Sequence, residues 1–238
     1  EYGSRGVADV LQHLGTRQPD WVLATEPTNM RVVTAHKGVA VARIEAHGRA
    51  CHSSAPSEGK NALVALARAI LSLDELASRL AQKEDPRLGA GTLSVNLAAG
   101  GHATNIVPDK ATLTLDRRLL PGETAASMRR ELEEALARAG TESFEILSCT
   151  VAKPPLGTSD EHPAVQRCQS ALARIGLDPA TGVAAFGTDA GLFAEHDIPG
   201  LVLGPGSIQQ AHTAREFVEI DQVECATAFF ETLLRADS

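Results

Sequence analysis

The sequence predicts an α/β chain interrupted by an inserted α+β sandwich. Three observations carry that expectation. Residues 37–151 order their periodic segments as strand, helix, strand, strand, helix, strand. Short apolar runs on either side alternate with amphipathic helical stripes, the pattern of an α/β layer fold. Pro154-Pro155 breaks the chain where the first pattern ends and the second resumes.

Taken in order, Val7, Val10, Leu11 and Leu14 form a helical stripe that Gly15 stops. Trp21-Val22-Leu23-Ala24 reads as a buried strand of a parallel sheet, and Glu26-Pro27 stands at its carboxyl end, where such sheets collect function. Lys37 to His47 is the next strand, and Asn61 to Leu80 is a long helix with Leu63, Leu66, Ala67, Ile70, Leu73 and Leu76 near one face. Thr92–Ala98 and Ala111–Asp116 alternate as strands, joined through Gly100-Gly101 and the stretch around Asn105. Thr124 caps a helix that runs to Ala139, and Ser143–Val151 closes the series. This is the order of a split ferredoxin-like sandwich. From Asp160 the chain reads helix, short strand, helix, apolar strand (Leu201-Val202-Leu203) and a terminal helix over Asp221–Leu234. The expected domains are therefore 1–35 and 153–238 as two segments of one α/β domain, with 36–152 inserted.

At 238 residues and 43% hydrophobic content the chain can bury a substantial core. A net charge of −8 without any Lys/Arg-rich block argues against nucleic acid or an anionic membrane as partner. No apolar run approaches the ~20 residues of a membrane span, and no signal-peptide pattern is present, so a cytoplasmic location is expected. Cys51, Cys149, Cys168 and Cys225 are too dispersed for a disulfide framework or a cysteine zinc site. The chain opens at Glu1 without a methionine, inside a Glu-x-Gly-Ser-x-Gly loop, which reads as the back part of a longer protein.

The stretch Gly48-Arg49-Ala50-Cys51-His52-Ser53-Ser54-Ala55-Pro56 places one histidine at a polar turn between a strand and a helix. Taken alone, such a histidine is an ordinary turn residue. Arg118 beside Asp116 reads as a surface ion pair, Glu26 before a proline as a capping or salt-bridged carboxylate, and Gly187 or Gly204-Pro205-Gly206 as ordinary turns. Glu1, Glu26 and His212 offer donor types that zinc accepts, but their spacing carries no metal signal.

Together these stretches resemble a family. His52 in its Ser/Pro turn, Ala103-Thr104-Asn105-Ile106-Val107-Pro108-Asp109 and Asp116-Arg117-Arg118-Leu119-Leu120-Pro121-Gly122-Glu123 are similar to motifs of the co-catalytic zinc peptidases and deacylases. That family includes acetylornithine deacetylase, succinyl-diaminopimelate desuccinylase, aminoacylase and glutamate carboxypeptidase. The resemblance extends to Glu1-Tyr2-Gly3-Ser4-Arg5-Gly6, Ala24-Thr25-Glu26-Pro27-Thr28, Gly187-Thr188-Asp189-Ala190 and Ala211-His212-Thr213-Ala214-Arg215-Glu216. It implies a partial zinc-peptidase catalytic domain with the sandwich as its lid and dimerisation domain.

The resemblance further implies two zinc ions in the complete enzyme, with cobalt or manganese as alternatives. Glu1 and His212 would share one and Glu26 would bind the other, with Glu26 and His212 within ~8 Å at strand ends. His52 would reach the partner subunit of a homodimer and stabilise the oxyanion of the scissile amide. Arg118 and Asn105, thirteen residues apart and expected near one end of the sandwich sheet, would hold the substrate carboxylate, and Gly187-Thr188 would line the site. A bridging aspartate, an upstream histidine and the general-base glutamate would all precede Glu1. The implied activity is hydrolysis of the amide of N-acyl amino acids or small dipeptide-like substrates. The tract Asp116–Glu123 stands nearer acetylornithine deacetylase and succinyl-diaminopimelate desuccinylase than aminoacylase. Two other readings are a non-catalytic dimerisation and substrate-binding fragment or degenerate relative, and an amino-acid-binding regulatory module. The last leaves Glu26 and His212 unexplained.

Overall fold

A computed structural model describes residues 5–15, 18–140 and 143–235. The elements are α1 (Arg5–Leu14), β1 (Val22–Ala24), β2 (Val32–His36), β3 (Gly38–His47), β4 (Cys51–His52), α2 (Ala62–Leu80), β5 (Glu84–Asp85), β6 (Gly89–Ala90), β7 (Thr92–Gly100), β8 (Ile106–Val107) and β9 (Lys110–Leu119). They continue with α3 (Ala125–Arg138), β10 (Ser143–Lys153), β11 (Leu156–Gly157), α4 (Pro163–Arg174), β12 (Thr181–Ala184), α5 (Ala190–Ala194), β13 (Gly200–Val202) and α6 (Ile220–Arg235). The chain divides into two compact units, one of Glu1–Gly38 with Lys153–Ser238 and one of Val39–Ala152.

In the sandwich the strands lie in the order β10-β3-β9-β7. Alternation decides the faces: Ala40, Ala42, Ile44 and Ala46 of β3 and Ala111, Leu113, Leu115 and Leu119 of β9 are buried against the helices. Helix α2 buries Ala65, Leu66, Ala69, Leu73 and Leu76, while Leu63, expected inside, is 41% exposed. Leu66, Leu73 and Leu76 face inward as expected, and Ala62, Ala65 and Ala69 complete the buried stripe in place of Leu63 and Ala67. Asn61 caps α2 by accepting from Leu63 N–H at 2.9 Å, and Thr124 and Ser127 form a reciprocal capping box at the start of α3. The two helices are joined by Ser72 Oγ donating to the Ala135 carbonyl at 2.6 Å.

In the α/β unit the sheet order is β1-β13-β2-β11, and β12 also pairs with β2. Pairs β1–β13 and β12–β2 are parallel, but β2 meets β13 and β11 antiparallel. The expected all-parallel sheet is thus a mixed one. Strand β2 has no counterpart in the sequence reading, because all five of its residues are buried and a strand covered on both faces shows no alternation. On one face α4 and α6 pack Val165, Cys168, Leu172, Phe229 and Leu233 against Val32, Leu201 and Leu203. On the other, Val33, Leu156, Ala184, Ala190 and Val202 cluster. Among the described residues no helix is long and apolar enough to cross a membrane.

Candidate functional site

His52 is positioned by a two-residue antiparallel ladder in which Cys51 faces Val107 and His52 faces Ile106. The ladder is anchored where β3 ends and β9 begins, through Gly48 N–H to Asp109 C=O at 2.7 Å and Ala62 N–H to Pro108 C=O at 2.9 Å. Ser53 N–H donates to the Asn105 carbonyl at 3.0 Å, so the structure sets His52 and Asn105 side by side at this end of the sandwich. The His52 ring is exposed, and its Nδ1 accepts from the Ser54 backbone N–H at 3.1 Å and lies 2.8 Å from Ser54 Oγ. A backbone donor on Nδ1 leaves the proton of the neutral ring on Nε2. The outward nitrogen is therefore a hydrogen-bond donor.

Arg118 is elsewhere on the same sheet. It pairs with Thr92, while Gly100 pairs with Ala111, so the whole of β9 separates it from the His52 end. Eight residues of strand span about 25 Å, and the expectation that Asn105 and Arg118 share one end fails for that reason. The reading from sequence treated the residues between them as a tight strand-turn-strand, whereas Asn105 precedes β9 and Arg118 stands near its last residue. The Arg118 side chain is on the outer face, with Nε donating to Asp116 Oδ1 at 2.9 Å. Arg117, one residue earlier, points inward and is fully buried.

In the α/β unit Glu26 follows β1 at its carboxyl end and is half-buried. The turn after β13 presses on it: a Cβ at Gly204 would lie 2.7 Å from the Glu26 carbonyl oxygen, so only glycine fits. Glu26 and Asp189 line one cleft of about 290 Å³ with Thr25 and Phe193. Asp189 is paired with Lys153 at 2.5 Å. His212 is exposed in the loop before α6, in the left-handed region at φ 60°, with its N–H donating to Glu216 Oε2 at 2.9 Å. Glu1 lies outside the described residues.

Thr188 is turned inward. Its N–H donates to His36 Nε2 at 3.2 Å, its hydroxyl lies 3.0 Å from the same nitrogen, and the hydroxyl oxygen accepts from Ala190 N–H at 3.2 Å. The Thr188 hydroxyl is thus engaged within the fold, and its carbonyl accepts from Gly191 N–H at 3.3 Å. His36 Nδ1 in turn donates to Lys37 C=O at 3.1 Å, and burial holds the ring pKa down at about 4. His36 carries no signal in the sequence, because the strand it ends is buried on both faces and shows no alternation.

Glu26 and His212 have suitable donor chemistry for a divalent metal, but the donor set is open. Among the described residues, the group of three or more donors within ligand reach is Glu45, His47 and Glu145 on the sandwich. There the Lys110 ammonium binds Glu45 at 2.8 Å and holds its carboxyl below the usual range. The described residues of the α/β unit do not by themselves close a metal site.

Residues 34–143 match the family model M20_dimer, described as a peptidase dimerisation domain. An acetylornithine deacetylase of Erwinia tasmaniensis is 33% identical over 208 residues, covering 85% of this chain and 53% of that protein. The acetylornithine deacetylase of Klebsiella pneumoniae is 32% identical over 220 residues, 91% of this chain and 56% of that protein. Among solved structures, a tripeptidase from Staphylococcus aureus superposes with TM-score 0.69 at 22% identity, over 91% of this chain and 56% of the other. An M20 family metallo-carboxypeptidase from Sulfolobus solfataricus gives 0.68 at 19% identity, over 96% and 66%. At those identities the structural likeness speaks to the fold. The chain spans about half the length of the curated relatives it matches.

Proposed function

The chain belongs to the M20 family of metallopeptidases and deacylases, and on that premise we propose that it is part of an amide-bond hydrolase acting on N-acyl amino acids or small dipeptide-like substrates. The tract Asp116–Glu123 favours acetylornithine deacetylase or succinyl-diaminopimelate desuccinylase chemistry over that of aminoacylase. The observation that carries the reading is the β4–β8 ladder, which pairs His52 with Ile106 and, through Ser53 N–H to the Asn105 carbonyl, seats it next to Asn105 with Nδ1 held by Ser54 N–H and Nε2 left as the donor. A fixed neutral imidazole N–H gains strength as an amide carbonyl becomes a tetrahedral oxyanion, and one such donor contributes roughly 3 kcal/mol to the transition state. Arg118 supplies a planar fork for the substrate carboxylate, and Asn105 orients the acyl group beside His52. Gly187 and Thr188 contribute main chain. Glu1 and His212 would share one divalent metal and Glu26 would bind a second, zinc by preference, and their chemistry would be to polarise the carbonyl and acidify water. A cytoplasmic setting suits the four free cysteines.

The separation of Arg118 from His52 also supports a homodimer. Strand β7 is an outer strand of the sandwich sheet; its Leu97 is 67% exposed, and Leu63, Val64 and Leu71 of α2 are exposed by 41%, 48% and 68%. An unpaired edge with an apolar flank is suited to a second copy. Antiparallel pairing of β7 with the partner's β7 runs Gly100 of one copy beside Thr92 of the other. That sets His52 and Asn105 against the end of the partner that carries its own arginine fork, so one small substrate can meet both.

The second reading, a non-catalytic dimerisation and substrate-binding fragment, is favoured by the open donor set around Glu26. One experiment separates them. The upstream-extended protein is assayed for zinc content and for hydrolysis of N-acetylornithine and N-succinyl-diaminopimelate. His52→Ala subunits are then mixed with Glu26→Ala subunits, each inactive alone. Up to half of one dimer's activity should return, because one site per heterodimer has both residues. Adding Leu97→Glu to both should abolish the recovery. No turnover by the extended protein supports the fragment reading, and turnover without recovery on verified subunit exchange removes His52 from the partner's site.

A further inference from the structure

Arg117 is a charged side chain in an apolar row. Along β9 the inward positions are Ala111, Leu113, Leu115 and Leu119, and Arg117 occupies the remaining one with 0% exposure. Apolar residues of similar volume often serve as well as a buried ion pair or better, so fold stability does not account for an arginine here. Its contacts point to a different role. Nη2 donates to Glu123 Oε1 at 2.9 Å and to Glu131 Oε2 on α3 at 3.5 Å. Nη1 donates to the carbonyl oxygen of Arg118 at 2.5 Å. Glu123 Oε2 accepts from Leu120 N–H at 2.8 Å, closing the turn that follows the strand. Only Nε lacks a partner among the buried side-chain atoms described.

The approach to Arg118 depends on Gly91. A Cβ there would lie 2.7 Å from Arg117 Nη1 and 3.0 Å from the Arg118 carbonyl oxygen. The Arg118 peptide is thus held from inside the sheet by Arg117, while its guanidinium is braced on the outer face by Asp116. With the peptide and the fork both fixed, the direction of the fork is set before any ligand arrives, which is what carboxylate recognition needs.

We infer that Arg117 is a positioning residue: by holding the Arg118 carbonyl from within the core, it fixes the direction of the Arg118 guanidinium and sets the affinity for the substrate carboxylate without touching it. The inference rests on Arg118 being the carboxylate fork.

The test uses the full-length, metal-loaded enzyme with an N-acyl amino acid and the matching N-acyl amine that lacks the carboxylate. Arg117→Met should raise KM for the acid about tenfold, with kcat within about twofold, and leave kinetics on the amine unchanged. Arg117→Lys, a point charge without the fork, should not restore KM. Gly91→Ala keeps every charge but displaces the guanidinium, so it should reproduce the KM effect even if Arg117→Met fails to fold. Equal KM for wild type, Arg117→Met and Gly91→Ala, or equal shifts on acid and amine, overturns the inference. Arg118→Ala is the reference: if it leaves discrimination between acid and amine intact, the assignment of the fork itself is wrong. If it abolishes discrimination while the other two variants do not alter KM, only the positioning role is lost.

Discussion

The sandwich and the α/β unit bury their apolar surface in different ways. The sandwich gathers its buried residues, from Ala40 to Leu136, into one core between a four-stranded sheet and two helices. The α/β unit divides its core into two smaller clusters on either side of short strands. It also has an apolar cleft of about 460 Å³, lined by Ala8, Leu11 and Leu14 of α1 and by Leu192 and Ile198. The sandwich is a single uninterrupted segment of chain, whereas the α/β unit is assembled from two segments that its own pattern must recognise at long range. A core built from one segment is legible locally, and it suits the part that would aim His52 and Arg118 under the proposed function. The residues that would handle a metal sit on the less enclosed part.

The difference is testable by matched truncation. Leu113→Ala, in the middle of the sandwich core, should lower unfolding free energy by about 3 kcal/mol. Leu192→Ala, beside the open cleft, should cost under about 1 kcal/mol, because its side chain already faces space. Urea unfolding of both variants reads the contrast, and equal losses would show that the two cores are equally well packed.

An effect of comparable size belongs to His36. Burial lowers its folded pKa to about 4 from the ordinary 6.5, so the unfolded state takes up the proton first as pH falls. The sign is therefore loss of stability on acidification: the contribution is full above pH 6.5, declines between 6.5 and about 4, and totals about 3 kcal/mol. His36→Gln should flatten that part of the pH–stability profile, and an unchanged slope would exclude His36 as its source. A smaller effect than that of Leu113 or His36 belongs to a cap in the sandwich. Thr124→Ala removes the acceptor for Ser127 N–H at 3.1 Å and should cost about 1 kcal/mol in the same unfolding assay. A cost near zero would mean that α3 is held wholly by its packing.

Much of this was open to inspection in the residues. The strand-helix-strand-strand-helix-strand order of the sandwich, the Thr124 cap and the inward direction of Arg117 follow from periodicity and strand alternation, which are local rules. His52 and Asn105 were each legible through the motif that carries it, but the sequence reading set Asn105 beside Arg118, and their meeting with each other was not legible. Strand β2 was not, because residues covered on both faces carry no alternation. Nor was the work of Thr188, whose hydroxyl and N–H are engaged by a histidine 152 residues away.

What the sequence determined by itself was the kind of fold, the family and the residues with the chemistry to act, since these depend on periodicity, motif and side-chain type. What only the tertiary structure decided was which of those residues meet. His52 joins Asn105 because β4 pairs with β8, and Arg118 stands a strand's length away because β9 runs straight between them. Thr188 turns to His36 because β2 and the loop before α5 close on each other. Each of these outcomes depends on long-range pairing and register, in which a shift of one residue reverses a side chain, and no local pattern encodes that choice.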